Sequence, residues 1–405
     1  MFIVKNMHIS SLDLSKKRLS ALPYDEIDLL INWLILSDNR IEEIDDDIRH
    51  FTKLTRLALN DNKIATVSKR ICECTNINWI DLTRNKLRIL PDEFGDLTKI
   101  TGLGLSENNF ETIPKAIYKL VNLRKFGFFS NQITYISPDI KFLTSLVKID
   151  LSNNKIKEIP DELTQLTNLC WLNLSNNKIK RLPANINRLI KLEELGLGMN
   201  ELEELPEMSN LNNLRILPVF KNKIKYVHPT VFRMNRIEKL DFSDNEIDRF
   251  PYEALKTAAL KYLNLRNNKI SEIDVNYIKE IKSSNIHTLD ISENRLKALP
   301  FKMFRIFNDN AVMRLGNNPY ELKEAIKPSN INLVEICFSS LLRKKCKMGE
   351  YDKILKKLYK KVYMCDCCGN EFVTEPYKTY AVNYIDNGDE FVIERMCCSE
   401  KCSNQ

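Results

Sequence analysis

The feature that most constrains this chain is an internal repeat whose usual step is 23 residues. The segment Leu34-Ile-Leu36-Ser-Asp-Asn39-Arg-Ile41 recurs almost unchanged as Leu172-Asn-Leu174-Ser-Asn-Asn177-Lys-Ile179. The recurring asparagines fall at positions 39, 62, 85, 108, 131, 154, 177, 200, 222, 245, 268, 294 and 318, and a degenerate copy precedes them, which makes fourteen copies. A unit this short cannot bury its own apolar side, so we expect neighbouring copies to stack on one continuous core.

Each copy has two halves with different patterns. In the first half apolar residues alternate with polar ones, which predicts a short strand with one buried face. The recurring asparagine can satisfy backbone groups where the chain turns inward. The second half opens with Leu/Ile-Pro, as at Ile159-Pro160, and continues with apolar residues such as Leu163 and Leu166. Proline there predicts the start of a helical turn.

The pattern L-x-x-L-x-L-x-x-N-x-L resembles the leucine-rich repeat family over residues 9–320. The resemblance implies an α/β solenoid, a horseshoe with a parallel concave sheet. We predict the solenoid over 1–320, a helical segment over 321–362 and a cysteine-rich zinc module over 363–405. No cysteine-rich caps flank the repeats, and no apolar run is long enough for a membrane span or a secretory signal. We therefore expect a monomeric protein of the cytosol or nucleus.

The positions around each strand predict a binding surface on the concave side. Large side chains there are typical anchors for a protein partner. The predicted partner-binding residues are Trp33, Trp79, Phe129, Trp171, Ile216, Phe220 and Tyr262. The alternative is that these side chains pack on one another between copies. Five glycines also fall in the strands, and they indicate either close approach of a ligand or backbone, or drift at tolerant positions: Gly102, Gly104, Gly127, Gly196 and Gly198.

Catalysis and nucleic-acid binding are both disfavoured by the sequence. The four histidines lie in different copies, and no phosphate-binding loop or nucleophile motif is present. The net charge of +7 is concentrated between Arg343 and Lys361, where nine Lys/Arg face two Asp/Glu. The repeats are therefore close to neutral, whereas nucleic-acid binding needs an extended basic face. A basic residue often follows the repeat asparagine, which indicates either a ridge that steers an acidic partner or a solvated edge.

A short segment after the repeats carries a second motif. Leu333, Cys337 and Leu341 recur every four residues, which places them on one helix face. The segment resembles the box by which substrate receptors of cullin ubiquitin ligases bind elongin C, although Asn332 stands where that family usually has a small residue. The alternative is a helix that caps the last repeat. The lysine-rich amphipathic segment Tyr351–Val362 could contact an acidic lipid or protein, or pack as a solvated helix.

Six of the eleven cysteines lie between Cys365 and Cys402. Such a cluster indicates a metal site rather than a disulfide framework. Pairing C-x2-C with C-x3-C gives one Zn²⁺ ion with four ligands, Cys365, Cys368, Cys398 and Cys402. Cys367 and Cys397 are spare, and either could replace its neighbour. The intervening residues predict a β-hairpin around Asn387-Gly388.

Three classes of function follow. The favoured one is a non-enzymatic protein that binds a protein partner on the concave face, and its sharper form is a substrate receptor of a cullin ubiquitin ligase. A signalling scaffold that binds a small GTPase is the first alternative. A ubiquitin ligase with a catalytic cysteine in the tail is the second, and it is weaker because a four-thiolate zinc site has no open position for chemistry.

Overall fold

The structure, a computed structural model, describes residues 10–279, 281–307, 310–322, 363–369, 371–372, 377–384, 390–397 and 402. It divides into two compact units, residues 1–241 and residues 242–405. The helices within these ranges are short, and none of them has the length and hydrophobicity that crossing a bilayer requires.

Parallel three-residue strands build the first unit, one from each copy of the repeat. The middle residue of each strand points into the core, and Leu34, Leu57 and Leu172 are completely buried. Paired in this order, the strands are Ser11–Asp13, Trp33–Ile35, Arg56–Ala58, Trp79–Asp81, Gly102–Gly104, Lys125–Gly127, Lys148–Asp150, Trp171–Asn173, Glu194–Gly196, Ile216–Pro218 and Lys239–Asp241. A second parallel pair joins Glu43–Ile44 to Thr66–Val67. The predicted parallel sheet is confirmed.

The second halves of these copies form 3-10 helices rather than α-helices. A proline occupies the N-cap of several of them, as at Pro91 and Pro160, and one turn is all that the short step between strands allows. Their bounds are Tyr24–Glu26, Asp46–His50, Lys69–Glu73, Asp92–Asp96, Lys115–Lys119, Pro138–Phe142, Asp161–Gln165, Ala184–Arg188 and Pro229–Arg233.

The recurring asparagines connect consecutive copies. Asn85 shows the pattern: its Nδ2 donates to the carbonyls of Leu59 and Leu82, both at 3.0 Å, and its Oδ1 accepts from the backbone N–H of Ile64 at 2.9 Å. Asn154 and Asn177 repeat these contacts in their own copies. One side chain thus satisfies buried backbone groups on two neighbouring turns, as the sequence predicts.

The residue before each recurring asparagine has a positive φ. Among these residues are Arg84 (56°), Met199 (59°) and Asn176 (54°). The left-handed conformation is unfavourable for side chains other than Gly and Asn. This left-handed conformation turns the chain sharply at the end of the strand, so that the side chain of the next residue, the asparagine, enters the core.

The second unit begins with three more strands of the same type, Tyr262–Asn264, Thr288–Asp290 and Val312–Arg314. Between them lie the 3-10 helix Tyr252–Lys256 and two short α-helices, Val275–Ile278 and Lys302–Ile306. The longer steps of 26 and 24 residues occur in this region, and they leave room for α-helical turns.

A hairpin near the end of the chain belongs to the same unit. Tyr377–Tyr384 pairs antiparallel with Glu390–Cys397, and Tyr363–Met364 pairs with Glu371–Phe372. The strand Glu390–Cys397 also pairs in parallel with Leu299–Pro300, where Leu299 is opposite Ile393. The Phe301 backbone N–H donates to the carbonyl of Glu394 at 3.0 Å. The hairpin is therefore a direct extension of the last repeats of this unit.

Candidate functional site

The first residues of neighbouring strands lie side by side and form a row across the strands of each unit. The pairing register places Trp33 beside Ser11 and Arg56, and it places Trp171 beside Lys148 and Glu194. In the first unit the row reads Ser11, Trp33, Arg56, Trp79, Gly102, Lys125, Lys148, Trp171, Glu194, Ile216 and Lys239. Tyr262 holds the same position in the second unit. We call the side of the sheet that carries the first and third strand residues the open face.

The large side chains predicted to bind a partner remain accessible on the open face. Trp33 is 37% exposed, and its ring lies under the guanidinium of Arg56 at 5.4 Å. The other predicted residues are half-buried: Trp79, Phe129, Trp171, Ile216, Phe220 and Tyr262. None of these side chains is part of the core, so each can offer apolar area to a partner.

Glycines on the open face make room for large side chains of neighbouring copies. Neither sequence-based interpretation of the aromatic residues, as partner anchors or as side chains packed on one another, included this arrangement. A Cβ on Gly102 would lie 2.5 Å from Cδ1 of Trp79, so the indole covers the backbone of the next strand. The ring of Phe220 covers Gly198 in the same way. Part of each aromatic surface is therefore packed against the sheet. This packing holds the ring in place while its other face stays accessible.

Charge on the open face is sorted into two rows. The first row carries four exposed basic residues, Arg56, Lys125, Lys148 and Lys239, and one half-buried acidic residue, Glu194. The third strand positions carry the acidic residues Asp13, Asp81, Asp150 and Asp241. Three of these carboxylates accept a backbone N–H two residues on: Asp13 from Ser15 at 2.8 Å, Asp81 from Thr83 at 2.9 Å and Asp150 from Ser152 at 3.0 Å. The open face therefore offers a partner a mainly positive first row and an acidic third row, both crossing the strands.

A depression of about 440 Å³ lies on the open face between Trp79 and Trp171. Gly102, Gly104 and Gly127 form its floor, and Phe129 is part of its wall. Four strand spacings separate the two tryptophans, which is about 19 Å. Lys125 and Lys148 lie between them, and neither is in an ion pair within the described part of the chain. The depression combines aromatic edges, a floor that includes three glycines, and two cations that are in no ion pair among the described residues.

The second candidate site is a cluster of cysteine sulfurs in the tail. The sulfurs of Cys365, Cys368 and Cys402 lie within 4.8 Å of one another, and so do those of Cys365, Cys367 and Cys397. Cys367 Sγ is 3.4 Å from Cys397 Sγ. Cys365 and Cys397 are fully buried. Three of the four predicted ligands are thus brought together, while the fourth, Cys398, lies outside the described residues.

Two turns hold this cluster in position. The Gly369 N–H donates to the carbonyl of Cys365 at 2.9 Å, with Gly369 at φ 71°, which closes the tight turn that carries Cys367 and Cys368. Asp366 joins this turn to the hairpin: its N–H donates to the Met396 carbonyl at 2.8 Å, and its Oδ2 accepts from the Met396 N–H at 2.7 Å. Burial raises the pKa of Asp366, and the N–H of Met396 acts in the opposite direction.

The cluster also contacts the last repeats of its own unit. Arg305 Nη2 donates to the Asp366 carbonyl at 2.9 Å, and its guanidinium lies 4.8 Å from the ring centre of Phe301. The guanidinium of Arg395 lies 5.2 Å from the same ring. Two cations therefore lie near Asp366, in the turn that carries the cysteines.

The donor set suits a thiophilic metal ion. Sulfurs bound tetrahedrally at about 2.3 Å from Zn²⁺ are about 3.8 Å apart, which is inside the spread of each sulfur group. None of the described cysteines is in a disulfide. The site can bind a metal through several thiolates.

Some functional features were not predicted from the sequence. Lys125, Lys148 and the glycine floor of the depression could have been found by aligning the copies, because the strand register places equivalent positions of neighbouring copies side by side. Cys367 and Cys397 were predicted as spare residues, but the structure places both within the cluster. The predicted adaptor residues Leu333, Cys337 and Leu341, and the basic segment after them, lie outside the described residues.

Comparison with protein families identifies the repeat. A leucine-rich repeat region model matches residues 107–250, a second leucine-rich repeat model matches 29–87 and 52–110, and a third matches 259–281. A search of curated proteins finds no match.

Solved structures agree with the family models. An LRR protein of Leptospira interrogans is 28% identical with a TM-score of 0.69, over 77% of this chain and 85% of that one. An internalin of Listeria monocytogenes is 20% identical with a TM-score of 0.64, and the match covers 78% of this chain and 88% of that one. The structure of the Drosophila Toll–Spatzle complex is 21% identical with a TM-score of 0.67, and the match covers 78% of this chain and 45% of that one. The chain is a leucine-rich repeat protein.

Proposed function

We propose that this protein is a non-enzymatic recognition protein that binds a protein partner on the open face of its repeats. The observation that carries the proposal is the row of accessible aromatic side chains around the depression between Trp79 and Trp171. Aromatic residues held by packing lose little entropy on binding, so they are effective anchors. Leucine-rich repeat proteins generally mediate protein–protein interactions, and the Toll–Spatzle structure is one complex within this fold.

The charges of the open face specify what the partner should look like. Carboxylates of the partner would lie over Lys125 and Lys148, and cations over Asp81 and Asp150. Such complementarity mainly increases the association rate and the specificity. We expect an apolar or aromatic side chain of the partner to enter the glycine-floored depression between the two tryptophans.

The experiment is a capture with the full chain, followed by mass spectrometry of the bound proteins. The test variant is Trp79→Ala with Trp171→Ala, and the control is Phe142→Ala, an aromatic residue 50% exposed on a 3-10 helix. We expect one partner to be captured by wild type and control and lost from the double variant. A partner that binds all three equally would contradict the proposal.

We also propose that the cysteine cluster binds Zn²⁺ through Cys365, Cys368 and Cys402, with Cys398 as the fourth ligand. The mutual approach of the three described sulfurs supports this site. A module this small has little core of its own, so the metal would contribute much of its folding free energy. Zinc measured per chain in the reduced, purified protein tests the site.

The role as an adaptor of a cullin ubiquitin ligase stays a prediction from sequence. It rests on Leu333, Cys337 and Leu341 alone. Co-purification of elongin C with the wild type, and its loss from Leu333→Ala with Cys337→Ala, is the expected result. If elongin C is absent while a signalling regulator such as a small GTPase is captured by the repeats, the scaffold alternative is favoured. A thioester between ubiquitin and a tail cysteine would instead reveal an enzyme.

A further inference from the structure

The two sulfur groups of the tail share one member, Cys365. It lies within 4.8 Å of Cys367 and Cys397 in one group and of Cys368 and Cys402 in the other. Five cysteines are therefore gathered around one fully buried sulfur. A single tetrahedral zinc ion takes four ligands, so it cannot use all of them.

The pair left over by a one-ion site is itself arranged like metal ligands. Cys367 Sγ and Cys397 Sγ are 3.4 Å apart, close to the separation of two thiolates on one zinc ion. Cys397 is fully buried at the end of its strand, and Cys367 is half-buried. The two side chains also converge on Cys365 rather than on solvent.

We propose that the tail binds two metal ions joined through the shared Cys365 thiolate. Cys368 and Cys402 are the terminal ligands of one ion, and Cys367 and Cys397 are those of the other. This inference rests on the zinc binding proposed above and extends it from one ion to two.

The five described sulfurs divide evenly between the two ions. With Cys365 shared, each ion has three described thiolate ligands, and a tetrahedral ion accepts one more. A doubly coordinated thiolate is also well suited to full burial, because two dications compensate its charge.

The experiment compares three cysteine variants of the full chain with wild type, using elemental analysis and native mass spectrometry of reduced protein loaded with zinc. We expect two zinc ions in wild type and in the control Cys170→Ser, whose cysteine lies in the repeats. Cys367→Ser with Cys397→Ser should retain one ion, and so should Cys368→Ser with Cys402→Ser, because each leaves one complete group of three described thiolates.

The outcomes separate the two proposals. One zinc ion in wild type, unaffected by Cys367→Ser with Cys397→Ser, overturns the second ion but keeps the first. No zinc in wild type overturns both. If the variants lose all metal because the module unfolds, cadmium-loaded wild type decides: two coupled cadmium resonances support a bridged pair, and one resonance overturns it.

Discussion

Trp79 lies directly over Gly102 on the adjacent strand, so that a Cβ at Gly102 would come within 2.5 Å of the indole. The neighbouring copy thus determines where the tryptophan ring lies. The accessibility of Trp79 to a partner depends on a residue that has no side chain.

Gly102→Ala should therefore displace the Trp79 indole. The added methyl overpacks the contact, and we expect a loss of about 1–3 kcal/mol in unfolding free energy or an outward shift of the ring. The measurement is fluorescence quenching in a Trp33→Phe and Trp171→Phe background, where Trp79 is the remaining tryptophan. Gly127→Ala is the control, because its nearest contact would be Ser106 Oγ at 3.1 Å. Equal quenching and equal stability of both variants would show that the contact does not position Trp79.

Removing a recurring asparagine should destabilise the repeats strongly. Asn154 Nδ2 donates to the carbonyls of Phe128, Leu151 and Ser152, all at 3.1 Å, and its Oδ1 accepts from the Ile133 N–H at 3.2 Å. Asn154→Ala leaves buried backbone groups unpaired, which costs roughly 2–4 kcal/mol.

Chemical denaturation measures this loss, and an exposed asparagine provides its control. Asn122 Nδ2 donates once, to the Thr98 carbonyl at 2.9 Å, so Asn122→Ala should cost less than about 1 kcal/mol. The idea that the buried asparagines hold consecutive copies together is wrong if the two variants lose the same amount.

The structure of the repeats can be predicted well from the sequence because every copy has the same pattern. Leu-x-Leu alternation and the asparagine recur often enough that strand positions, register and the asparagine contacts follow directly. The 3-10 geometry does not follow, because residues such as Asp161–Gln165 have no intrinsic preference for one turn type over another, and only the spacing of the stacked strands selects it.

The candidate sites were predicted less completely. The row that contains Trp33, Trp79 and Trp171 could be found because one repeat position defines it. The cysteine cluster was found as a group, but spacing along the chain favours pairs such as Cys365/Cys368. It does not show that Cys397, at the end of a strand, lies beside Cys367. Contacts between distant segments depend on how the hairpin packs, which a local motif does not encode.

The left-handed position before each asparagine predicts a stabilising substitution. Met199 has φ 59° and is 41% exposed, so its side chain gains little in return for the strained backbone. Met199→Gly should raise the unfolding free energy by about 0.5–1 kcal/mol, and Met199→Val should lower it by about 1–2 kcal/mol because a β-branched residue fits this region poorly. Thermal and chemical denaturation measure both. Asn176→Gly is the control with little expected change, since asparagine tolerates this conformation. A destabilised Met199→Gly protein would contradict the prediction.

An exposed ion pair predicts a small dependence on pH. Lys223 Nζ lies 3.2 Å from Glu201 Oε2, and this hydrogen bond lowers the pKa of Glu201. A carboxyl whose pKa is lowered on folding stabilises the protein above its unfolded pKa of about 4.3, and this contribution is lost as the pH falls through the folded pKa. The stability difference between wild type and Lys223→Gln should therefore shrink on acidification below that range. Lys86→Gln is the control, since Lys86 occupies the same repeat position and is in no ion pair among the described residues. A difference that grows with acidification would contradict the assignment.

Removing metal should open the tail while the repeats stay folded. The buried side chains described in the tail include Val392 and Ile393 of the hairpin and the sulfurs of Cys365 and Cys397. Removing the metal takes away the ion that these thiolates would bind together. A strong chelator should therefore increase trypsin cleavage after Lys378 and Arg395 severalfold. Cleavage at Arg84, within the first unit, serves as the internal control and should stay constant. Re-addition of zinc should restore protection, which separates metal loss from irreversible unfolding.

The parallel pairing of Leu299 with Ile393 offers a competing source of stability. If cleavage after Lys378 and Arg395 is unchanged once zinc loss has been verified, that pairing holds the hairpin without help from the metal.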